Sequence, residues 1–321
     1  MTNKEKISIY FSMLRIRMVE KKIADLYSEQ EMRCPVHLSI GQEATAVGVC
    51  ALLGRDDIVM SAHRGHAHYL AKGGDLKAMI AELYGKETGC AKGKGGSMHL
   101  IDLSAGFFGT VPIVGSTIPI ATGVAWAFKM KKQENVAVVF LGDGATEEGV
   151  FSESLDFASL KEVPILFVCE NNFYSVYSNL GVRQAKSREI TKIAESHGVK
   201  SNKGNGNDIL EVYNVTETAI NYIKNEKKPA LIEFETFRWL EHCGPNWDDN
   251  LGYRGKGELQ KWMKACPITN FEKKLNGNTL DPSRIKQIKK NISKEIDGAF
   301  DYAKKSPFPR IELLNQHIYK N

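Results

Sequence analysis

The chain of 321 residues has no CxxC pair, and its six cysteines (Cys34, Cys50, Cys90, Cys169, Cys243 and Cys266) form no regular framework. That spacing argues against a disulfide-stapled secreted fold and predicts free thiols in a reducing compartment. No internal repeat is visible. The opening segment MTNKEKISIYFSM lacks the apolar core of a signal peptide, so the expected location is the cytoplasm. Val111 to Phe128 carries no charge, but Pro112, Gly115, Pro119 and Gly123 interrupt it and make it a poor membrane span. No charge sign dominates. The formal net charge is +5, and the short basic clusters Lys129 to Lys132 and Lys286 to Lys290 read as solvated surface rather than a nucleic-acid interface. The glycine-rich run GCAKGKGGSMH (Gly89 to His99) lacks the GxxxxGK spacing and follows no obvious strand, which excludes a nucleotide P-loop.

What is present is centred on Val136 to Tyr174. Two uninterrupted apolar runs, VAVVFL (Val136 to Leu141) and ILFVC (Ile165 to Cys169), read as buried parallel strands. Between them Thr146 is placed to cap a helix with Glu147 and Glu148 in its first turn, and Phe151, Leu155, Ala158 and Leu160 follow at near-helical spacing. This is one βαβ unit. The residues just after both strands emerge at the carboxyl edge of the sheet, where open α/β folds bind ligands, so Asp143 and Asn172 are expected to be close. A carboxylate, an amide oxygen and a backbone carbonyl form a hard oxygen set suited to Mg²⁺ held partly by a diphosphate.

The spacing of GDG (Gly142 to Gly144), 26 intervening residues and then Asn171-Asn172 resembles the thiamine diphosphate signature. With GKGGSMH (Gly93 to His99), IVGSTIP (Ile113 to Pro119), GDGATEEG (Gly142 to Gly149) and CENN (Cys169 to Asn172) in this order, the chain resembles the alpha subunit of the first component of the 2-oxo acid dehydrogenase complexes. The resemblance runs over roughly the whole chain, to Ser306-Pro307 and Ile318-Tyr319. It implies thiamine diphosphate and Mg²⁺ as cofactors, with Asp143, Asn172 and the Tyr174 carbonyl as metal ligands. It also implies that His37, His63, Arg64, Pro112, Val114, Gly144, Ala145 and His242 contact the cofactor, and that His242 handles protons. A guanidinium at Arg64 forks well onto phosphate oxygens. Read without the family, His37 is equally a surface or capping histidine and Val114 plain core. The trio His63, His66 and His68 invites a zinc reading that no cysteine or carboxylate at a confirming spacing supports.

The family's tyrosine before Arg64 is replaced by His63. In the loop Arg238 to Arg254 the R-x-H-G-H-S pattern keeps Arg238 and His242, while Leu240, Glu241 and Cys243 replace the first histidine, the glycine and the serine. The resemblance implies decarboxylation of a small 2-oxo acid and transfer of the acyl group to an acceptor such as a lipoyl group. It further implies a beta subunit in a heterotetramer of two alpha and two beta chains, and a lipoyl acyltransferase core as a further partner. One rival is a split transketolase-like or carboligating enzyme, which the altered loop permits; another is a non-catalytic scaffold, against which Asp143 and Asn172 speak.

The fold expected is a doubly wound α/β domain with a mainly parallel sheet, spanning residues 1–321 as one diphosphate-binding domain. An amphipathic helical arm (1–30) forms an outer layer, and a helical tail (280–321) covers the surface or an interface. Further helices are expected from about Gln42, from a Ser116 or Thr117 cap, over Ile190 to Ser196 and over Ile209 to Asn225. A strand is expected in Pro229 to Arg238, a loop over Ser175 to Ser187 and a turn over Gly204 to Asn207.

Overall fold

The computed structural model describes residues 1–275 and 279–316; the closing Ile318-Tyr319 pair lies outside them. Eight strands are present among these residues: β1 (Ile58–Ala62), β2 (Phe107–Val111), β3 (Ala137–Gly142), β4 (Ile165–Asn171), β5 (Tyr174–Ser175), β6 (Ser178–Asn179), β7 (Lys200–Asn205) and β8 (Ala230–Glu235). Six pair in parallel in the order β2-β1-β3-β4-β8-β7, while β5 and β6 form a small antiparallel hairpin. The helices are α1 (Asn3–Leu26), α2 (Glu43–Cys50), α3 (His66–Lys72), α4 (Leu76–Leu83), α5 (Thr117–Met130), α6 (Gly149–Lys161), α7 (Leu180–Arg183), α8 (Ile190–Ser196), α9 (Ile209–Glu226), α10 (Glu258–Lys264), α11 (Pro267–Leu275) and α12 (Pro282–Lys305).

The apolar runs explain the layering. Alternate residues of a strand point to opposite faces. Ala137, Val139, Leu141, Ile165, Phe167 and Cys169 pack with α5, α6 and α8 on one side. Their neighbours Val138, Phe140, Leu166 and Val168 pack with α1, α2 and α9 on the other. A strand buried on both faces has no polar position to spare, which is why the sequence shows no alternation there. The doubly wound α/β expectation holds.

Several local expectations change. α1 has a capping box, with Glu5 N donating to Thr2 Oγ1 at 3.3 Å and Thr2 N to Glu5 Oε2 at 2.5 Å. It is not an outer layer, because α11 and α12 pack over it and it buries Arg17 and Glu20 as well as its apolar stripe. Thr146 does not cap α6. Its hydroxyl donates to the Asp143 carbonyl at 2.7 Å and closes a 3-10 turn, Asp143–Glu147, so the helix begins only at Gly149. Ser116 precedes α5 but its hydroxyl returns to the Ile113 carbonyl at 2.8 Å instead of capping the helix.

Ser175 to Ser187 is not plain loop, since it holds part of the hairpin and α7. The Gly204 to Asn207 turn overlaps the end of β7, a strand whose sequence KSNKGN has no apolar pattern. β7 sits at the sheet edge and exists through its backbone pairing with β8, a register periodicity does not report. No described helix is long and apolar enough to cross a membrane.

Candidate active site

Strand order places the site. β2 lies on one side of β1 and β3 on the other, so the winding reverses between β1 and β3. Ligands bind at the carboxyl edge of such a switch point. A cavity of about 220 Å³ opens there, and all eleven residues singled out in the sequence line it: His37, His63, Arg64, Pro112, Val114, Asp143, Gly144, Ala145, Asn172, Tyr174 and His242.

One end of the cavity is acidic and amide-rich. The register of β3 and β4, with Gly142 opposite Glu170, brings Asp143 and Asn172 out side by side. Asp143 is 1% exposed. Burial raises its pKa, opposed by Arg183 and by backbone N–H groups including that of Asn172. The Asn172 Oδ1 accepts from Tyr174 N at 3.1 Å, which folds the chain so that the Tyr174 backbone turns back beside Asn172. Gly144 lies close against the hairpin, where a Cβ would come 2.9 Å from Ser175 Oγ and the hydroxyl would have to turn away. Asp143 is not free: its Oδ2 is paired with Arg183 Nη2, and Arg183 Nη1 with Glu147. A cation already occupies the place where the sequence expectation put one.

The opposite end is basic and is assembled from three loops. The segments 36–40 and 239–244 run beside each other, with Trp239 N donating to Ile40 O at 2.9 Å and Gly244 N to Val36 O at 2.8 Å. Gly41, at φ +104, is required at this contact, since a Cβ would meet Phe237 O at 2.4 Å. Arg64 staples both loops, donating to Leu38 O at 2.6 Å and to His242 O at 3.0 Å. The rings of His37, His63 and His242 thereby converge, with centroids 4.7 to 5.3 Å apart.

Burial, then the Arg64 charge, pushes His37 down to about 2, His63 to about 4 and His242 to about 3. All three imidazoles are neutral near pH 7. Their ring nitrogens lie within 4.8 Å of one another, close enough for a metal ion. Arg64 Nη2, 3.4 Å from His242 Nδ1, makes the spot better suited to an anion than to a cation. Burial and Arg238 bring Arg64 itself down to about 9, still charged near neutrality.

The zinc trio dissolves in three dimensions. His66 is buried against Ser97 at 2.7 Å and Glu20 at 3.4 Å. His68 bridges Ser61 at 2.8 Å and Glu170 at 3.2 Å and stacks on Phe140. Only His63 faces the two partners it meets from elsewhere in the chain.

The altered loop is held from behind by buried ions. Asp248 pairs with Arg238 at 3.1 Å and with Arg254 at 2.9 Å, and Tyr253 Oη donates to the same carboxylate. Arg238 also reaches Leu240 O at 2.6 Å and Val176 O at 2.8 Å. Leu240 is buried and its carbonyl accepts from both arginines, while Glu241 Oε1 accepts Asn246 N at 2.9 Å. Two of the three substituted positions therefore build the loop instead of facing the cavity. Arg183, Glu170 and Asp248 were not singled out in the sequence. Arg183 meets Asp143 and Glu170 meets His68 from far along the chain, where no spacing marks the pair, whereas Asp248 pairs inside its own loop with Arg238 and Arg254.

A family model described as the dehydrogenase E1 component matches residues 11–312. Similar proteins include the pyruvate dehydrogenase E1 component subunit alpha of Rickettsia bellii, 35% identical over 316 residues (98% of this chain, 96% of that one). The alpha subunit of acetoin:2,6-dichlorophenolindophenol oxidoreductase from Bacillus subtilis is 37% identical over 320 residues (99% and 95%). The testis-specific mitochondrial pyruvate dehydrogenase E1 subunit alpha of Homo sapiens is 34% identical over 323 residues (100% and 81%). With a match across nearly its whole length and alpha subunits as its relatives, the chain belongs to the dehydrogenase E1 component family, thiamine diphosphate-dependent oxidoreductases, as an alpha-type subunit.

Proposed function

We propose that this chain is the alpha subunit of a thiamine diphosphate- and Mg²⁺-dependent enzyme that decarboxylates a small 2-oxo acid and passes the acyl group to an acceptor such as a lipoyl group. The observation that carries the reading is the two-ended cavity at the switch point. Buried Asp143 beside Asn172 supplies hard oxygens for a divalent cation, and Arg64 with three neutral imidazoles supplies a charge and hydrogen bonds for phosphate oxygens. Two features favour the fit: His37 Nδ1 is buried without a hydrogen-bond partner among the described residues, and Asp143 already holds a guanidinium as a stand-in cation.

When bound, the cofactor supplies the nucleophilic carbon and electron sink for decarboxylation. Asp143, Asn172 and the Tyr174 carbonyl hold the metal. Arg64, His37 and His63 orient the diphosphate, with Gly144 and Ala145 close against it, and Pro112 and Val114 support the organic rings. His242 moves protons. Its low pKa rises when a phosphate anion lies against it, because a nearby negative charge favours the imidazolium.

A beta subunit completes the site, in a heterotetramer of two alpha and two beta chains, with a lipoyl acyltransferase core as a further partner. The outer face of α5 supports this docking: Ile120 and Met130 are 50% and 68% exposed, and Ile113, 68% exposed, precedes the helix between Pro112 and Val114, which line the cavity. The six unpaired thiols support a cytoplasmic location. A carboligating or acetoin-cleaving reaction is the second reading. The exposed Cys243 and the loss of one loop histidine favour it.

The test is to copurify this chain with the beta-type chain encoded nearest to it, add Mg²⁺ and thiamine diphosphate, and follow carbon dioxide release from a panel of 2-oxo acids with an artificial electron acceptor. Release with one acid, falling at least 100-fold in Asp143→Ala, is the expected outcome. Cofactor binding with turnover of acetoin or an aldehyde, and no carbon dioxide, selects the second reading instead.

A further inference from the structure

Arg183 meets Asp143 at the acidic end of the cavity, and the proposed function leaves it without a task. It comes from α7, on the segment that follows the β5–β6 hairpin, and its side chain is 11% exposed. Both ends of its fork are used, one on Asp143 and one on Glu147, while its Nε donates to Ser178 O at 3.1 Å. The same segment grips the 143–147 turn twice more. Gln184 Nε2 donates to Glu147 at 2.7 Å, and Arg188 donates to Thr146 O at 2.6 Å.

The hairpin beneath is strained. Phe173 and Val176 have φ of +68° and +53°, a left-handed conformation that a β-branched residue such as valine rarely adopts. Arg238 holds the Val176 carbonyl at 2.8 Å. The hairpin is thus drawn between two arginines, with the Tyr174 carbonyl between the strained positions.

A buried carboxylate is costly unless a cation meets it. Asp143 has one such partner, and a divalent metal and a guanidinium cannot both sit at its Oδ2. We propose that Arg183 is an internal competitor for the metal: in the cofactor-free subunit its guanidinium latches the segment 176–188 over Asp143, and arrival of the metal with its diphosphate expels it. The latch rests on the reading of Asp143 as a metal ligand. Its consequence is that metal alone binds poorly. The first cation must displace Arg183 without the diphosphate to add ligands, so metal and cofactor load together, and the released segment is free to settle over them. Glu147, 31% exposed, remains as the resting partner for the expelled guanidinium.

The experiment uses the copurified complex and Mn²⁺ as a paramagnetic probe, with free Mn²⁺ counted by electron spin resonance, first without thiamine diphosphate and then with it. Wild type, Arg183→Gln, Arg183→Lys and Asp143→Asn are compared. Without the cofactor, Arg183→Gln is expected to bind Mn²⁺ at least tenfold tighter than wild type, and Arg183→Lys to fall between them. With the cofactor, the gap narrows, because the diphosphate then contributes ligands in every variant.

If Arg183→Gln binds Mn²⁺ no tighter than wild type while both bind it with the cofactor and Asp143→Asn does not, the latch is wrong and the metal site stands. If no variant shows binding that depends on Asp143, with or without the cofactor, the metal reading beneath it fails. Thermal unfolding of each variant identifies a misfolded Arg183→Gln, and Arg183→Lys then carries the comparison.

Discussion

The two ends of the cavity are built differently. The acidic end stands on adjacent strand termini: β3 and β4 share register, so Asp143 and Asn172 are neighbours whatever the rest of the chain does. The basic end stands on loops. His37, His63 and His242 meet only because Arg64 spans 178 residues of sequence to reach His242 and because Asp248 ties Arg238 to Arg254 behind the loop. The contrast teaches that the acidic end is free to carry function with little cost to the fold, whereas at the basic end function and folding share the same buried ions.

Breaking each end separately tests that division. Asp143→Asn is expected to lower cofactor-dependent turnover at least 100-fold while changing unfolding free energy by under about 1 kcal/mol, since burial already disfavours its charge and Arg183 keeps Glu147. Asp248→Asn leaves two arginines, each about 1% exposed, without their countercharge. Losing one partner of a buried ion pair costs about 3–5 kcal/mol, readable by urea unfolding. Cofactor affinity should fall with it, and an Asp248→Asn protein of wild-type stability would erase the distinction.

A smaller effect comes from pH. His37, His63 and His242 have pKa values near 2, 4 and 3 in the folded chain, against 6.5 ordinarily. Between about pH 6.5 and 4 the unfolded chain therefore binds more protons than the folded one, and stability falls as pH drops through that window. It is fully present above 6.5. Melting temperature measured from pH 7.5 to 4.5 should fall more steeply for wild type than for His37→Gln. Smallest in stability is Ile120→Asp on the outer face of α5. It is expected within about 0.5 kcal/mol of wild type yet to lose copurification with the beta-type chain. Retained copurification would move the docking face elsewhere.

The β3–α6–β4 unit was legible because its signals are local. Hydrophobic runs, a motif and one intervening helix span under forty residues, and parallel register then dictates where Asp143 and Asn172 emerge. The resemblance extended this to residues such as His37 and Arg64, which periodicity alone leaves as ordinary surface or core. Thr146 was misread because a hydroxyl before acidic residues fits both a helix cap and the tight turn it makes. β7 was missed because an edge strand with one paired side needs no apolar alternation.

The sequence by itself determined the layered α/β architecture and the emergence of Asp143 and Asn172 at one sheet edge, since strand burial and strand-end chemistry repeat at short range. Only the tertiary structure decided which of the close histidines meets His37 and His242, that Asp248 anchors the altered loop, and that Arg183 sits on Asp143. The histidine and Arg183 contacts join residues tens to hundreds of positions apart while the Asp248 pairs close within one loop, and their common cause is the burial of charge, which forces each buried ion to find a partner wherever the fold brings one within reach.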